Sequence, residues 1–427
     1  MNDTSRRSFL RAFGGVTVAY SALLADARAA GTSRAPKLKI SKIQALALNS
    51  SNHHYVRVYT ADGLSGTGET FDTLGVAEIV NRYFGPALMG RDPLEIESIY
   101  TDLWTTLPIP LASGPTFMRG MGGPYLSAVS ALEIALWDLA GKALGLPVYQ
   151  LFGGKLRDKI PVYFHAHTPD AARKVIRETN CKVIKTMIDG ILDEMRVEGR
   201  VTNPYGVLGR YGVVGRGPER LSYAEIDAMA GHMQSIRDVV GPSIGVAVDA
   251  HNRYDEESAI QLARTLEPMR LLWLEEPVPS DNLDALAAIR HQTKTPIACG
   301  ENVYTRYGYR QLLEKEAVGV IQPDVGKTGG LGETRKIASM AEAYYVPVAA
   351  HSVLSPVGTF ATAQVCATVP NLMLQEWGGY FNTHVNAIAD MPAYKDGFLE
   401  LGDAPGTGCN IHDDVLNEMR SPGYEKF

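Results

Sequence analysis

The chain has 427 residues, 45% hydrophobic and 21% charged, an ordinary globular composition with length enough for two or three domains. A formal charge of −6 without a basic block argues against nucleic acid or an anionic membrane surface as partner. Four scattered cysteines, Cys181, Cys299, Cys366 and Cys409, form neither a CxxC pair nor a zinc spacing.

The run Ser5-Arg6-Arg7-Ser8-Phe9-Leu10-Arg11 reads as a twin-arginine export pattern. The apolar stretch after it, Ala12 to Ala25, is too short and too rich in Ala and Gly for a stable membrane span. Ala27-Arg28-Ala29 offers a cleavage site, so residues 1–29 are expected to be a signal peptide. A bacterial periplasmic protein, delivered by the twin-arginine export machinery, is the expectation.

Residues 30–158 read as a smaller α+β domain. Lys37 to Glu69 alternates like two or three antiparallel strands, with Ala61-Asp62-Gly63 as a turn. Ser127 to Lys142 is apolar at helical spacing and stops at Gly145-Leu146-Pro147.

From 159 to 378 the pattern changes to strands and helices in alternation. Ile160 to Phe164 is the expected first strand, Pro169 to Thr179 a helix, and Cys181 to Ile188 a strand carrying Lys185. Cys181 and Cys299 fall in expected strands and are read as small buried hydrophobes. Asp249, Glu275 and Glu301 then close three apolar runs and stand 26 residues apart, which is one strand, one helix and two short loops. The rhythm continues through Asp324, His351 and Glu376 at intervals of 23, 27 and 25. This predicts an α/β fold with a (β/α) barrel of eight strands, whose strand ends meet at the C-terminal mouth. Three converging carboxylates there would repel one another unless a hard cation sat between them, so Asp249, Glu275 and Glu301 read as ligands of a divalent metal.

One interval breaks the beat. Lys185 and Asp249 are 64 residues apart, and the excess, Asp189 to Leu221, reads as a long loop serving as a lid or an oligomer contact. After Trp377 the chain is irregular, and residues 379–427 are expected to run back over the first domain.

These motifs resemble the enolase superfamily, in its mandelate racemase/muconate lactonizing enzyme branch, and within it the sugar-acid dehydratases of galactonate type. The resemblance spans almost all of the chain after the leader. It is carried by Ala135 to Lys142 with Leu151-Phe152-Gly153-Gly154, Val248-Asp249-Ala250-His251, Trp273 to Pro277, Gly300-Glu301-Asn302, Gln322-Pro323-Asp324 with Gly329-Gly330, and His351. It implies a modified TIM-type barrel with the N-terminal α+β domain as a cap, Mg²⁺ as the metal, and abstraction of the proton next to a carboxylate. It also implies a homo-oligomer of unfixed number. Mg²⁺ suits the all-oxygen ligand set better than zinc. Removing a proton α to a carboxylate creates a dianion, whose charge such a metal takes up.

His351 is the expected general base, since an imidazole titrates near neutrality. Asp324, one strand earlier, is placed to hold its other nitrogen, as in the family's His–Asp pair. His251 lies two residues after Asp249, so strand alternation puts both on one face beside the metal. The galactonate and mannonate dehydratases resemble this D-x-H pattern, and there the histidine protonates the departing hydroxide. A histidine that only orients Asp249 is the alternative. Lys185 matches the first lysine of the family's K-x-K motif, while Met187 stands in the second position and cannot move a proton. Lys185 is therefore expected to steady the substrate carboxylate or enolate. Glu376 resembles the acidic residue near that carboxylate. Glu276, beside Glu275, is expected to point away by alternation and is left out of the ligand set.

The expected substrate is an acid sugar, an aldonate that loses water to give a 2-keto-3-deoxy acid. An epimerase or cycloisomerase using the same enolate remains open, as does a non-catalytic sugar-acid sensor. Recognition of distal hydroxyls is expected from Asn49 to His54 and Phe71 to Leu74, and from Tyr205 to Arg216 in the insertion.

Overall fold

The computed structural model describes residues 36–49, 51–71, 73–111, 114–117, 122–204, 218–380 and 382–427, with the backbone alone for 106–117. The leader and the stretch Tyr205 to Arg216 lie outside the described residues.

Strands β1 (Ile40–Ala47), β2 (His54–Thr60) and β3 (Ser65–Thr70) form an antiparallel sheet with β2 central. The helix Pro124–Leu144 lies against it, starting on Pro124 and closing on Gly145 in the left-handed conformation. The helix comes so near that a Cβ on Gly66 would sit 2.1 Å from the Ala135 carbonyl oxygen, and one on Gly68 2.0 Å from that of Ala131. Only glycine allows that approach. Among the described residues, the short pair β4 (Thr106–Leu111) and β5 (Gly114–Phe117) adds two more strands to this domain.

Eight parallel strands follow: β6 (Lys159–His165), β7 (Val183–Met187), β8 (Gly245–Asp249), β9 (Leu274–Glu275), β10 (Ile297–Cys299), β11 (Val320–Ile321), β12 (Val348–Ala350) and β13 (Leu372–Glu376). Each pairs with the next, and β13 pairs with β6, so the barrel closes. Its interior is filled by Tyr163, Ala247, Trp273, Ala298, Val320, Ala349 and Leu374. Tyr163 and Trp273 meet edge to face at 5.5 Å, and three alanines leave room for these rings. One side-chain layer further along six of the strands stand His165, Lys185, Asp249, Glu275, His351 and Glu376, so alternation delivers a polar layer at the mouth.

The connection from β7 to β8 differs from the expected loop. Its excess opens with a helix, Ile188–Val197, whose Ile188, Ile191, Leu192 and Met195 are buried at helical spacing. A second helix, Tyr223–Val240, begins on a capping box of Ser222 and Glu225. The cysteine expectation needs one adjustment: both residues are buried, but Cys181 precedes β7 rather than lying in it.

Two cap carboxylates dock on barrel helices. Glu69 of β3 accepts from Ser355 N at 2.9 Å and Gly358 N at 2.7 Å, at the start of helix Pro356–Cys366. Glu133 of the long helix accepts from Leu331 N at 2.7 Å and Gly332 N at 2.9 Å, at the start of helix Leu331–Ala343. Each satisfies N–H groups that a helix start leaves unpaired, and adds charge where the dipole favours it. The tail ties the other end. Strands β14 (Tyr394–Lys395) and β15 (Phe398–Glu400) form a hairpin that adds antiparallel to the start of β6. Leu416 of helix Asp413–Met419 packs with Leu46, Leu48 and Tyr55 of the cap, and Arg57 grips Asp413 at 2.6 and 2.8 Å. Among the described residues no helix is long and apolar enough to cross a membrane.

Candidate active site

Asp249 ends β8, Glu275 ends β9, and Glu301 follows β10 after Gly300, whose φ of 154° turns the chain into the mouth. One oxygen from each can be chosen so that all lie within 4.8 Å of one another. Lys185 reaches into the same cluster, its Nζ 3.1 Å from Asp249 Oδ2, 3.0 Å from Glu275 Oε1 and 2.7 Å from Glu376 Oε1. Trp273 Nε1 donates to the other Glu275 oxygen at 2.9 Å. Burial, with the Asp249 charge beside it, pushes the Glu275 carboxyl up to about 8 despite Lys185. Three carboxylates converging on one point, an all-oxygen donor set, fit a hard divalent cation.

His351, one residue beyond β12, is 4% exposed, with Nδ1 2.6 Å from Asp324 Oδ2. Its Nε2 is 2.8 Å from Glu301 Oε2 and 3.5 Å from Glu376 Oε2. Burial opposes a charge on the ring, but Glu301, Glu376 and the Asp324 bond outweigh it and hold its pKa well above the usual histidine range. Burial opposes the Glu301 charge too, yet His351, Lys327 and Lys185 together hold that carboxyl below the usual range.

His251 stands across the barrel. Its Nδ1 is 3.0 Å from Asp189 Oδ1 and its Nε2 3.4 Å from Asp249 Oδ2. It does reach the cluster, but not by strand alternation: β8 stops at Asp249, and His251 and Asn252 have φ of 48° and 58°. A left-handed turn brings the ring back. Burial lowers and the two aspartates raise its pKa, for a net value of about 9.

Glu276 lies just beyond the two-residue β9, with φ of 40° and its carboxylate 3.7 Å from Cys299 Sγ. It is buried, bonded by the amides of Asn252 and Asn302, the latter at 2.9 Å. Burial, then Glu301, Asp249 and Glu275, push it up to about 8. It stays outside the three-carboxylate group but within its field.

Glu376 is a hub. Besides Lys185, it accepts from Ser352 N at 3.0 Å and has His165 Nε2 at 2.6 Å. Besides Lys327, whose charge acts on Glu301, sequence reasoning missed His165 and Asp189. Both were legible by the strand-end rule, since His165 directly follows the run Ile160 to Phe164 and Asp189 follows β7 by two residues. Met187, in the second lysine position, donates its backbone N–H to His167 Nδ1 at 3.2 Å. The cap segment Asn49 to His54 offers less to a substrate than expected. His53 is turned to Glu69 at 2.6 Å and His54 to the Thr73 carbonyl at 2.8 Å, both buried. Phe71 packs on His53, while Leu74 is 75% exposed.

The chain matches the mandelate racemase/muconate lactonizing enzyme N-terminal domain over residues 32–153 and the enolase C-terminal domain-like family over 167–415. It is 38% identical to a D-xylonate dehydratase of Haloferax volcanii, over 87% of this chain and 86% of that one. It is 31% identical to a D-galactonate dehydratase of Variovorax paradoxus, over 86% and 91%. Its fold is shared with a mandelate racemase/muconate lactonizing enzyme-like protein from Rubrobacter xylanophilus, with a TM-score of 0.78, 33% identity, and coverage of 92% of this chain and all of the other. A capped eight-stranded barrel with these carboxylates at its mouth, matched over both domains, belongs to the mandelate racemase/muconate lactonizing enzyme branch of the enolase superfamily.

Proposed function

We propose that the chain is a Mg²⁺-dependent sugar-acid dehydratase acting on an aldonate. The observation that carries this reading is the placement of two histidine–carboxylate pairs beyond the ends of β8 and β12, four strands apart in a closed barrel of eight, with the three carboxylates at the mouth between them. Relatives named for D-xylonate and D-galactonate support the substrate class.

Asp249, Glu275 and Glu301 would hold the cation, which would take up charge growing on the substrate carboxylate and loosen the grip of Glu301 on the His351 proton. Lys185, itself held by Glu376 at 2.7 Å, orients the carboxylate end of the substrate. His351 Nε2 takes the proton from the α-carbon while Asp324 fixes Nδ1. The electron pair left behind forms the new C–C double bond and expels the β-hydroxyl. His251 gives that hydroxyl a proton, so water departs and the remaining enol becomes a 2-keto-3-deoxy acid. Met187 supplies no second base on the opposite face of the α-carbon, which favours elimination over racemisation.

A panel of acid sugars assayed with semicarbazide tests this. One or more aldonates should give keto-acid signal with Mg²⁺ and none after chelation. Epimerised sugar without keto acid would replace the dehydratase reading. The proposed export reads from Ser5 to Arg11, the apolar stretch after it and Ala27-Arg28-Ala29, and Arg6→Lys with Arg7→Lys should leave the protein in the cytoplasm. Its arrival in the periplasm would count against that route.

A further inference from the structure

One edge of the mouth has no part in the reaction steps above. Asp189, second residue of helix Ile188–Val197, is 6% exposed and puts its carboxylate 3.0 Å from His251 Nδ1. His251 itself sits in a costly backbone. Two successive non-glycine residues, His251 and Asn252, stand at positive φ, a conformation side-chain-bearing residues adopt rarely and keep where their surroundings hold it.

The enforcement is visible. Asn252 N donates to the Glu276 carbonyl at 2.7 Å. Arg253 donates to both oxygens of Asp193 at 2.9 and 2.6 Å, to Glu219 Oε1 at 2.9 Å and to the Asp189 carbonyl at 3.3 Å. Asp189 and Asp193 are one helical turn apart, so Arg253 fastens the helix bearing Asp189 to the turn bearing His251.

We infer that Asp189 is the positioning residue for His251 and that Arg253 braces the pair. With Nδ1–H held by Asp189, the ring keeps one orientation and presents Nε2 towards Asp249, where the leaving hydroxyl must be protonated. Asp189 touches no reacting atom and acts only through His251. The kinetic consequence depends on the dehydratase reading above; the geometry does not.

Asp189→Ala should lower dehydration about 10²-fold, the scale of one general acid. Exchange of the substrate α-proton with heavy water should persist, so the ratio of exchange to dehydration rises. A merely structural role would lower both together. Asp189→Ala combined with His251→Asn should be no slower than His251→Asn alone, because both remove one function. Arg253→Lys, which cannot make the forked bonds, should lose about tenfold. Asp189→Asn keeps the volume and serves if the alanine variant does not fold. Imidazole ¹⁵N spectra of the full chain, taken at a pH where the His251 ring is neutral, should show its remaining proton on Nδ1, and a mixture of tautomers in Asp189→Ala. Equal loss of exchange and dehydration, additive losses in the double variant, or an unchanged ¹⁵N spectrum would overturn the inference. If no acid sugar is dehydrated, the reaction reading fails, while the spectra still decide the positioning role.

Discussion

His351 and His251 face the same carboxylates from opposite sides, and each has a carboxylate on Nδ1, yet they are built in different ways. His351 continues a regular strand, is almost fully enclosed, and takes its partner from the neighbouring strand. His251 sits on a left-handed turn with its side chain one-third exposed, and takes its partner from a helix 62 residues back in the chain. A base that meets a carbon-bound proton gains from a fixed, dry position. An acid that must release water gains from an opening. The barrel strands supply the first and the loops after them supply the second.

The largest effect should come from what the two sides share. Glu275→Gln or Glu301→Gln should each reduce activity about 10³-fold or more, with the fold retained by circular dichroism. Chelation should silence the wild type and Mg²⁺ restore it. Full activity after exhaustive chelation contradicts the metal reading.

The next prediction separates the sides through their partners. Asp324→Asn should lower α-proton exchange and dehydration together, by about 10²-fold or more, because proton abstraction comes first. That contrasts with the unequal losses expected at Asp189. Matching patterns at the two positions would erase the distinction drawn between them.

A smaller effect concerns how the His351 side is moored. Glu69 binds Ser355 and Gly358, four and seven residues after His351, through both backbone N–H groups and the Ser355 hydroxyl. Glu69→Gln removes that buried anion and turns an amide NH₂ towards groups that are themselves donors. It should cost about 3–5 kcal/mol by thermal unfolding. Loss of activity without loss of stability would show instead that the mooring acts on His351 alone.

The smallest effect lies on the other docking acid. Burial pushes the Glu133 carboxyl up to about 7 from an ordinary 4.5. Between those pH values the folded chain holds a proton that the unfolded chain has lost. Stability should therefore fall as pH rises through this window, by about 3 kcal/mol at most, and Glu133→Gln should flatten that dependence in denaturant titrations.

Much of this site was legible because barrels repeat. The equal spacing of Asp249, Glu275 and Glu301 needs only a βα unit of constant length, and the interior alternation places Lys185, His351 and Glu376 by the same rule. What the sequence hid depends on backbone that leaves the strand. His251 takes a positive φ, which no hydrophobic pattern announces, so the alternation reading reached it by the wrong route. Asp189 was absorbed into an expected loop, although Ile188, Ile191, Leu192 and Met195 carry a helical period there. The inward turn of His53 towards Glu69 depends on a partner from another strand, which a polar run of sequence cannot specify.

The proposed reaction has the two histidines act at successive steps. That order is tested most directly by following α-deuterium uptake and keto-acid release together, in metal-replete His351→Asn and His251→Asn. Neither signal is expected in His351→Asn. In His251→Asn deuterium uptake should continue, with keto acid reduced about 10²-fold or more. A metal-replete His251→Asn enzyme that dehydrates at the wild-type rate, or a His351→Asn enzyme that still exchanges its α-proton, would contradict it.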